Sequence, residues 1–296
     1  MIYLYIPGHS GFGNQLFMYA KAYALAEERD EDITIINLTT EDDNHPFMLE
    51  RLKLDQRVKK IHRIDGLKNR YLKSLNYRFW DFYRQHIRNC DKIVEKEWSR
   101  EYREYFYDGD RPNLYVEGYF ESYRYFDQYQ EKIKQQFVPV DDFQNEFVKQ
   151  ARECNSVALH IRGGDFIQLG RAIDKKYYFD AIKKMKEFIK DPKFFLVTME
   201  PTVRDMIQEY FKDTDELVVV NINGADKDFQ EWNVLCSCRN HIISNSTYSW
   251  WGEYLNGDNG VVITPTREQY LTAEKENAGK FEDYYKRYYY QAVVIE

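Results

Sequence analysis

Cysteine is scarce. The 296-residue chain has four, Cys90, Cys154, Cys236 and Cys238, and no two are spaced as a C-x-x-C pair. That excludes a disulfide-framed secreted scaffold and leaves no ligand set for a zinc site, so reduced thiols in a cytoplasmic protein are expected. Basic residues are also short: 42 Lys and Arg stand against 49 Asp and Glu, a net charge of −7. Nucleic-acid binding needs a concentrated basic surface and is excluded as a function, whereas a local pocket for one small anion is not. No apolar run approaches the ~18 residues of a membrane span. Met1-Ile2-Tyr3-Leu4-Tyr5-Ile6 is only strand-length, lacks a basic leader and stops at Pro7-Gly8, so it does not read as a secretory signal. A soluble protein is expected, with peripheral association at a membrane face left open. There is no internal repeat and no low-complexity linker.

Aromatic residues, by contrast, make up 17%, with 26 Tyr, 19 Phe and 5 Trp. Tyrosine-rich surfaces suit flat polar ligands such as sugars, and Tyr also serves as semi-buried packing. The length suffices for one large α/β domain or two of roughly 150 residues. Residues 2–6 read as a buried strand, 7–13 as a tight glycine-containing loop, 14–28 as a helix and 33–37 as a second strand, which makes a β-α-β unit. Residues 40–112 mix charge and aromatics without a clear period. A strand is expected over 114–120, a helix from Ser122 or Tyr125, and a polar helical link over 141–153. Beyond it, apolar runs at 156–161, 194–198, 217–220, 241–244 and 260–264 alternate with helical patterns, the signature of a parallel sheet. The aromatic, charged tail at 283–290 reads as a surface helix packed on the body.

Three stretches carry chemistry. In Val157-Ala158-Leu159-His160-Ile161-Arg162-Gly163-Gly164-Asp165-Phe166 an apolar strand delivers polar groups to the mouth of a sheet, where ligands bind. Arg162 can hold a phosphate through two hydrogen bonds, and the glycines would let the backbone approach an anion. The plainer reading is a strand followed by a structural Arg162–Asp165 pair. Gly11-Phe12-Gly13-Asn14-Gln15-Leu16-Phe17 joins strand to helix but lacks the third glycine of a dinucleotide fingerprint. Ser244-Asn245-Ser246-Thr247-Tyr248-Ser249-Trp250-Trp251 leaves a strand and enters a helix, placing hydroxyls and amides where an anion can sit. Taken alone, the stretch reads more simply as capping of that helix.

Taken together and in this order, the three stretches resemble the bacterial α-1,2-fucosyltransferases of glycosyltransferase family 11. Glu117 to Tyr123, Asp174 to Tyr178 and Glu231 to Ile243 extend the resemblance, which covers about residues 1–255. It implies an α/β, GT-B-type glycosyltransferase with two Rossmann-like domains facing a cleft. Residues 1–153 would be the mainly acceptor-binding domain and 154–296 the GDP-fucose-binding domain. It further implies an inverting transfer of L-fucose from GDP-β-L-fucose to the 2-hydroxyl of a galactose-terminated oligosaccharide or glycolipid, without a cofactor or essential metal. Carried over residue by residue, Arg162 would bind the diphosphate, with His160 beside it and Ser246 and Thr247 donating to phosphate. Gly11, Gly13 and Asn14 would complete the donor site from the other domain. Glu231 stands where an Asp usually reads the guanine base, Thr198-Met199-Glu200 replaces an S-D-D strand end, and Ser10 replaces a common glycine.

Scission of the fucose–phosphate bond leaves an oxocarbenium-like sugar and a diphosphate of growing negative charge, for which a fixed guanidinium and helix amides are suited. Arg162, His160 and Asp165 are the catalytic candidates, and neither His160 nor Asp165 is singled out as general base. Two D-x-D pairs, Asp108-Gly109-Asp110 and Asp213-Thr214-Asp215, match the spacing of metal-dependent transferases, but Asp and Gly there are ordinary turn residues. A protein that binds a GDP-sugar, with another acceptor or linkage or with no catalysis, is the competing class.

Overall fold

The structure is a computed structural model that describes residues 1–39, 45–63, 75, 78, 82, 89–95, 102–107, 109–141, 145–163, 166, 171–224, 226–256, 260–265 and 292–294. The chain divides into two units, Met1–Asp141 and Asp142–Glu296. Each holds one sheet in which every strand pairing is parallel.

In the first unit, β1 (Ile2–Ile6), β2 (Ile33–Asn37), β3 (Val58–Arg63), β4 (Cys90–Val94) and β5 (Asn113–Glu117) take the order β3-β2-β1-β5-β4. All five residues of β1 are buried, as befits a central strand of a parallel sheet. Helix α1 (Phe12–Arg29) packs on β1 and β2 and ends at Asp30, whose left-handed backbone returns its amide to Ala26. Strands β3 and β4 lie within the stretch that showed no period. Lys59, Lys60 and Lys92 face solvent there, so the apolar alternation is broken.

The strand expected over 114–120 stops at Glu117 because Gly118 (φ 148°) and Phe120 (φ 50°) turn the chain. The Glu95 carboxylate accepts the amides of Tyr119 (2.7 Å) and Phe120 (3.1 Å), and Cβ of Glu95 lies 2.4 Å from where a Cβ on residue 118 would stand. Only glycine fits that position. Instead of one helix from Ser122 there are two 3₁₀ turns, Tyr123–Tyr125 and Asp127–Tyr129, before α2 (Gln130–Gln136).

The second unit corrects the expected boundary at 153. Helix α3 (Glu146–Glu153), capped by Asn145 Oδ1 accepting from Val148 N (2.9 Å), is no link. It buries Val148 and Ala151 in the second unit's core, so the division falls at 141/142. The sheet comprises β6 (Ser156–His160), β7 (Lys193–Val197), β8 (Leu217–Val219), β9 (Asn240–Ile242), β10 (Val262–Thr264) and β11 (Ala292–Val294), ordered β11-β10-β9-β6-β7-β8. Alternation along β6 divides the core between the two faces. Val157 and Leu159 join the cluster of Tyr177, Ile182 and Met185 from α4 (Lys175–Phe188) and Ile207 from α5 (Pro201–Tyr210). Ala158 faces α3 and Val234 and Leu235 of α6 (Lys227–Ser237). Helix α7 (Thr247–Asn256) follows β9. Strand β11 was not foreseen, and the tail helix expected at 283–290 lies outside the described residues.

The sheet orders locate the chemistry. In the second unit the chain runs outward from β6 through β7 to β8, then restarts on the other side with β9, so the topological switch lies between β6 and β9. Ligands of open parallel sheets bind outside the strand ends at such a switch. The residues that leave β6 and β9 there are His160-Ile161-Arg162 and Ser244 to Ser249.

Candidate active site

Strand β6 ends in His160, and Ile161 extends its pairing by donating to Val197 O (3.2 Å). His160 is 6% exposed. Burial, reinforced by the nearby Arg162 charge, lowers its pKa from 6.5 to about 3, so the ring is neutral. Its Nδ1 lies 3.2 Å from Ser244 Oγ, and its ring packs against Tyr248 at 5.2 Å between centroids. The guanidinium of the half-buried Arg162 lies over the Phe166 ring, with Cζ 5.1 Å from its centre. Asp165 and Gly164 lie outside the described residues. Gly163 departs from expectation. The space beside it is filled by Glu200, whose Cγ lies 2.2 Å from a built Cβ, so this glycine admits a side chain of its own protein.

Across the switch, Ser246 caps α7: Tyr248 N donates to Ser246 Oγ (3.3 Å), and Ser246 N donates to Ser244 Oγ (3.3 Å). The capping reading therefore holds, and it places Thr247 and Tyr248 in the first turn of α7. The segment is anchored from below. Tyr177 OH is shared between Ile243 O (2.7 Å) and Ile263 O (3.0 Å), and Asn245 Nδ2 donates to Arg171 O (2.7 Å). Trp250 and Trp251 are fully buried and pack on Tyr254, so this half of the motif is core.

Glu231, on α6, is 4% exposed. Burial raises its carboxyl from 4.5 to about 7, partly offset by Lys227, whose Nζ is 3.8 Å away. It neighbours α7 through Tyr248. The phenol donates to Asp228 O, and burial, with the Glu231 charge adding to it, holds its pKa well above the ordinary value. The structure thus brings His160, Arg162, Ser246 and Thr247 to one switch point, with Glu231 on the helix to which Tyr248 is tied.

Gly11, Gly13 and Asn14 belong to the first unit, at the start of α1. Asn14 N donates to Gly11 O (2.9 Å), and no atom lies within 4 Å of a Cβ built on Gly11. The neighbouring Gln15, fully buried, organises that loop: its amide nitrogen donates to Ser10 O (2.8 Å) and Pro46 O (2.9 Å), and its oxygen accepts from Met48 N (3.0 Å). Sequence reasoning passed over Gln15, Glu200, Ser244 and Ser249 as actors. The buried Gln beside a glycine loop was the one visible signal.

Among the described residues no group of three or more His, Cys, Asp or Glu could hold a metal ion. The Gly109 amide donates to Asp91 Oδ2 (2.9 Å) in a turn, Asp108 is outside the described residues, and Asp215 pairs with Lys193 (2.8 Å). All four cysteines are free thiols. Among the described residues no helix is long and apolar enough to cross a membrane.

The model of the glycosyl transferase family 11 matches residues 4–290. An alpha-1,2-colitosyltransferase of Escherichia coli is 28% identical over 272 residues, 86% of this chain and 89% of that protein. The O-antigen biosynthesis glycosyltransferase WbnK of Escherichia coli is 24% identical over 301 residues, 87% of this chain and 92% of its own. Among solved structures, NodZ alpha-1,6-fucosyltransferase soaked with GDP-fucose is similar at a TM-score of 0.52 and 14% identity, over 86% of this chain and 91% of that one. FUT1 of Arabidopsis thaliana, as a mutant in complex with GDP, is similar at 0.51 and 14%, over 88% and 69%. These structures share the two-sheet, GT-B-type α/β fold. Matched from residue 4 to residue 290, this chain belongs to glycosyl transferase family 11.

Proposed function

We propose that the protein transfers a 6-deoxyhexose, L-fucose in the first instance, from its GDP-β-linked donor to the 2-hydroxyl of a terminal galactose, with inversion to an α-1,2 linkage. The observation that carries this reading is the pairing of Arg162 with a hydroxyl-lined helix start across the β6/β9 switch. A diphosphate there meets a guanidinium and the first turn of α7, groups already oriented before the sugar–phosphate bond breaks. One such donor is worth roughly 3–4 kcal/mol of transition-state stabilisation. Glu231, once ionised, accepts from guanine N1–H and N2–H. His160 remains neutral throughout and lines the donor pocket. Gly11, Gly13 and Asn14 serve the same reaction, and the first unit takes the acceptor. No metal is required. The acceptor is a lipid-linked or free oligosaccharide of surface-polysaccharide assembly, met in the cytoplasm at the inner membrane face.

The 28% identical colitosyltransferase favours a second reading, in which colitose replaces fucose as the transferred sugar. Calorimetric titration of GDP and GDP-fucose into wild type and Arg162→Ala, with EDTA present, tests the donor assignment. Binding that is lost in the variant is expected, followed by transfer to lactose. Binding that needs Mn²⁺, or no binding, refutes it, and binding without transfer or hydrolysis favours a catalytically silent protein.

A further inference from the structure

Between His160 and α7 lies a buried chain of hydroxyls whose protons can be counted. Ser244 and Ser249 are both buried, and their oxygens are 3.3 Å apart. Ser249 Oγ donates to Ser246 O (3.1 Å) and accepts from Ser244 N (3.4 Å). Ser244 Oγ accepts from Ser246 N (3.3 Å) and meets His160 Nδ1 at 3.2 Å. A serine hydroxyl has one hydrogen and two lone pairs. With the Ser249 hydrogen committed to Ser246 O, the contact between the two serines requires Ser244 to donate to Ser249. The second lone pair of Ser244 is then open to a donor, and His160 Nδ1 must carry the hydrogen that fills it. The reverse direction, Ser249 to Ser244 to a bare Nδ1, makes one hydrogen bond fewer, because Ser246 O loses the Ser249 hydroxyl. Among the described residues no group bonds Nε2.

We infer that Ser244 and Ser249 are positioning residues that hold His160 as its Nδ1–H tautomer, so that Nε2 offers a lone pair to a hydroxyl hydrogen of the bound sugar nucleotide. A neutral imidazole with a bare Nε2 cannot donate to phosphate. It accepts from N–H or O–H, and with the guanine N–H groups given to Glu231 the donors left on the sugar nucleotide are the ribose and sugar hydroxyls. This separates His160 from Arg162 by chemistry: the arginine takes the anion and the histidine reads a neutral hydroxyl. The ligand half of the inference rests on the donor assignment above, whereas the tautomer half does not. His241 shows the opposite arrangement in the same unit, since its Nε2 lies 3.0 Å from Leu235 O and must itself carry the hydrogen.

The test is long-range ¹H–¹⁵N NMR of the histidine-labelled full chain, with His160 assigned by comparison with His160→Gln. In wild type, Nε2 is expected as an unprotonated, pyridine-type nitrogen and Nδ1 as a pyrrole-type one, unchanged from about pH 5 to about pH 9. In Ser249→Ala the Ser244 hydroxyl loses its acceptor and turns to Nδ1, moving the population toward Nε2–H. An Nε2–H tautomer in wild type, or an unaltered spectrum in Ser249→Ala, overturns the assignment, and the wild-type spectrum alone suffices should the variant fail to fold. Saturating GDP-fucose is expected to shift Nε2 without protonating it. A shift already produced by GDP places the hydroxyl on the ribose, and one produced only by GDP-fucose places it on the sugar. Calorimetric binding of GDP-fucose with no movement of Nε2 overturns the ligand half. Absence of binding overturns the donor assignment and that half together, with the tautomer still decided by the unliganded spectrum.

Discussion

Replacing Glu231 by Gln should move folding stability and nucleotide binding in opposite directions. The carboxyl is held near 7 in the folded chain, against an ordinary 4.5, chiefly because burial penalises its charge. Between these values the folded state binds a proton that the unfolded state has released, so stability falls as pH rises through that window and levels off above 7. The difference corresponds to about 3 kcal/mol at the plateau. Glu231→Gln removes the penalty, and urea unfolding should show the variant more stable above pH 7, with the advantage vanishing near pH 4. In the role proposed for Glu231, guanine recognition needs the ionised form. At two pH units below the pKa roughly 1% of the carboxyl is ionised, against about half at pH 7, so GDP affinity of wild type should fall about 50-fold on acidification from pH 7 to pH 5, about 2.3 kcal/mol. The terminal phosphate of GDP titrates in the same range, and the difference between wild type and Glu231→Gln isolates the protein's share. Calorimetry from pH 5 to 8 reads this directly. Equal pH slopes in the two proteins would show that Glu231 does not touch the base, and no stability gain above pH 7 would show that its carboxyl is not buried as described.

Arg162→Lys keeps the charge but loses the planar fork, and turnover should stay roughly 100-fold or more below wild type in a transfer assay with GDP-fucose. Near-full kcat in that variant refutes two-pronged phosphate holding. Gly163→Ala drives a Cβ into Glu200 and should cost about 1–3 kcal/mol in thermal unfolding. The double variant with Glu200→Ala should recover most of it, and additive losses would place the clash elsewhere. Gly118→Ala combines a positive φ with overlap against Glu95 and should lose about 2 kcal/mol or more, with a wild-type melting temperature as the contrary result.

Much of the architecture was legible because buried parallel strands announce themselves. β1, β2, β6 and β7 are short apolar runs with every or nearly every residue buried, and their limits were read to within a residue or so. Edge strands β3 and β4 were missed since exposed lysines interrupt them, Lys59 and Lys60 on the two faces of β3 and Lys92 on β4. The 141–153 segment looked like a link because its surface is highly polar, yet two small apolar positions, Val148 and Ala151, suffice to seat it on the sheet. At the site, His160 and Arg162 stood out by following an apolar strand, and Ser246 by preceding a helix. The Ser244–Ser249 pairing was not readable, for it depends on a helix start folding back over a strand end, and serines five apart have no pattern of their own. The glycines after Arg162 read as room for an anion beside the backbone, and the structure fills the space next to Gly163 with Glu200, a contact formed between neighbouring strand ends.

Trp250 and Trp251 occupy the first turns of the helix that opens at the site, sealed from water and packed face and edge on Tyr254. Their indoles emit from the same short helix whose capping serine faces the switch. Ligand arrival at the proposed site is expected to change the intrinsic fluorescence of the unlabelled protein, with Trp250 and Trp251, two of its five tryptophans, reporting from within α7.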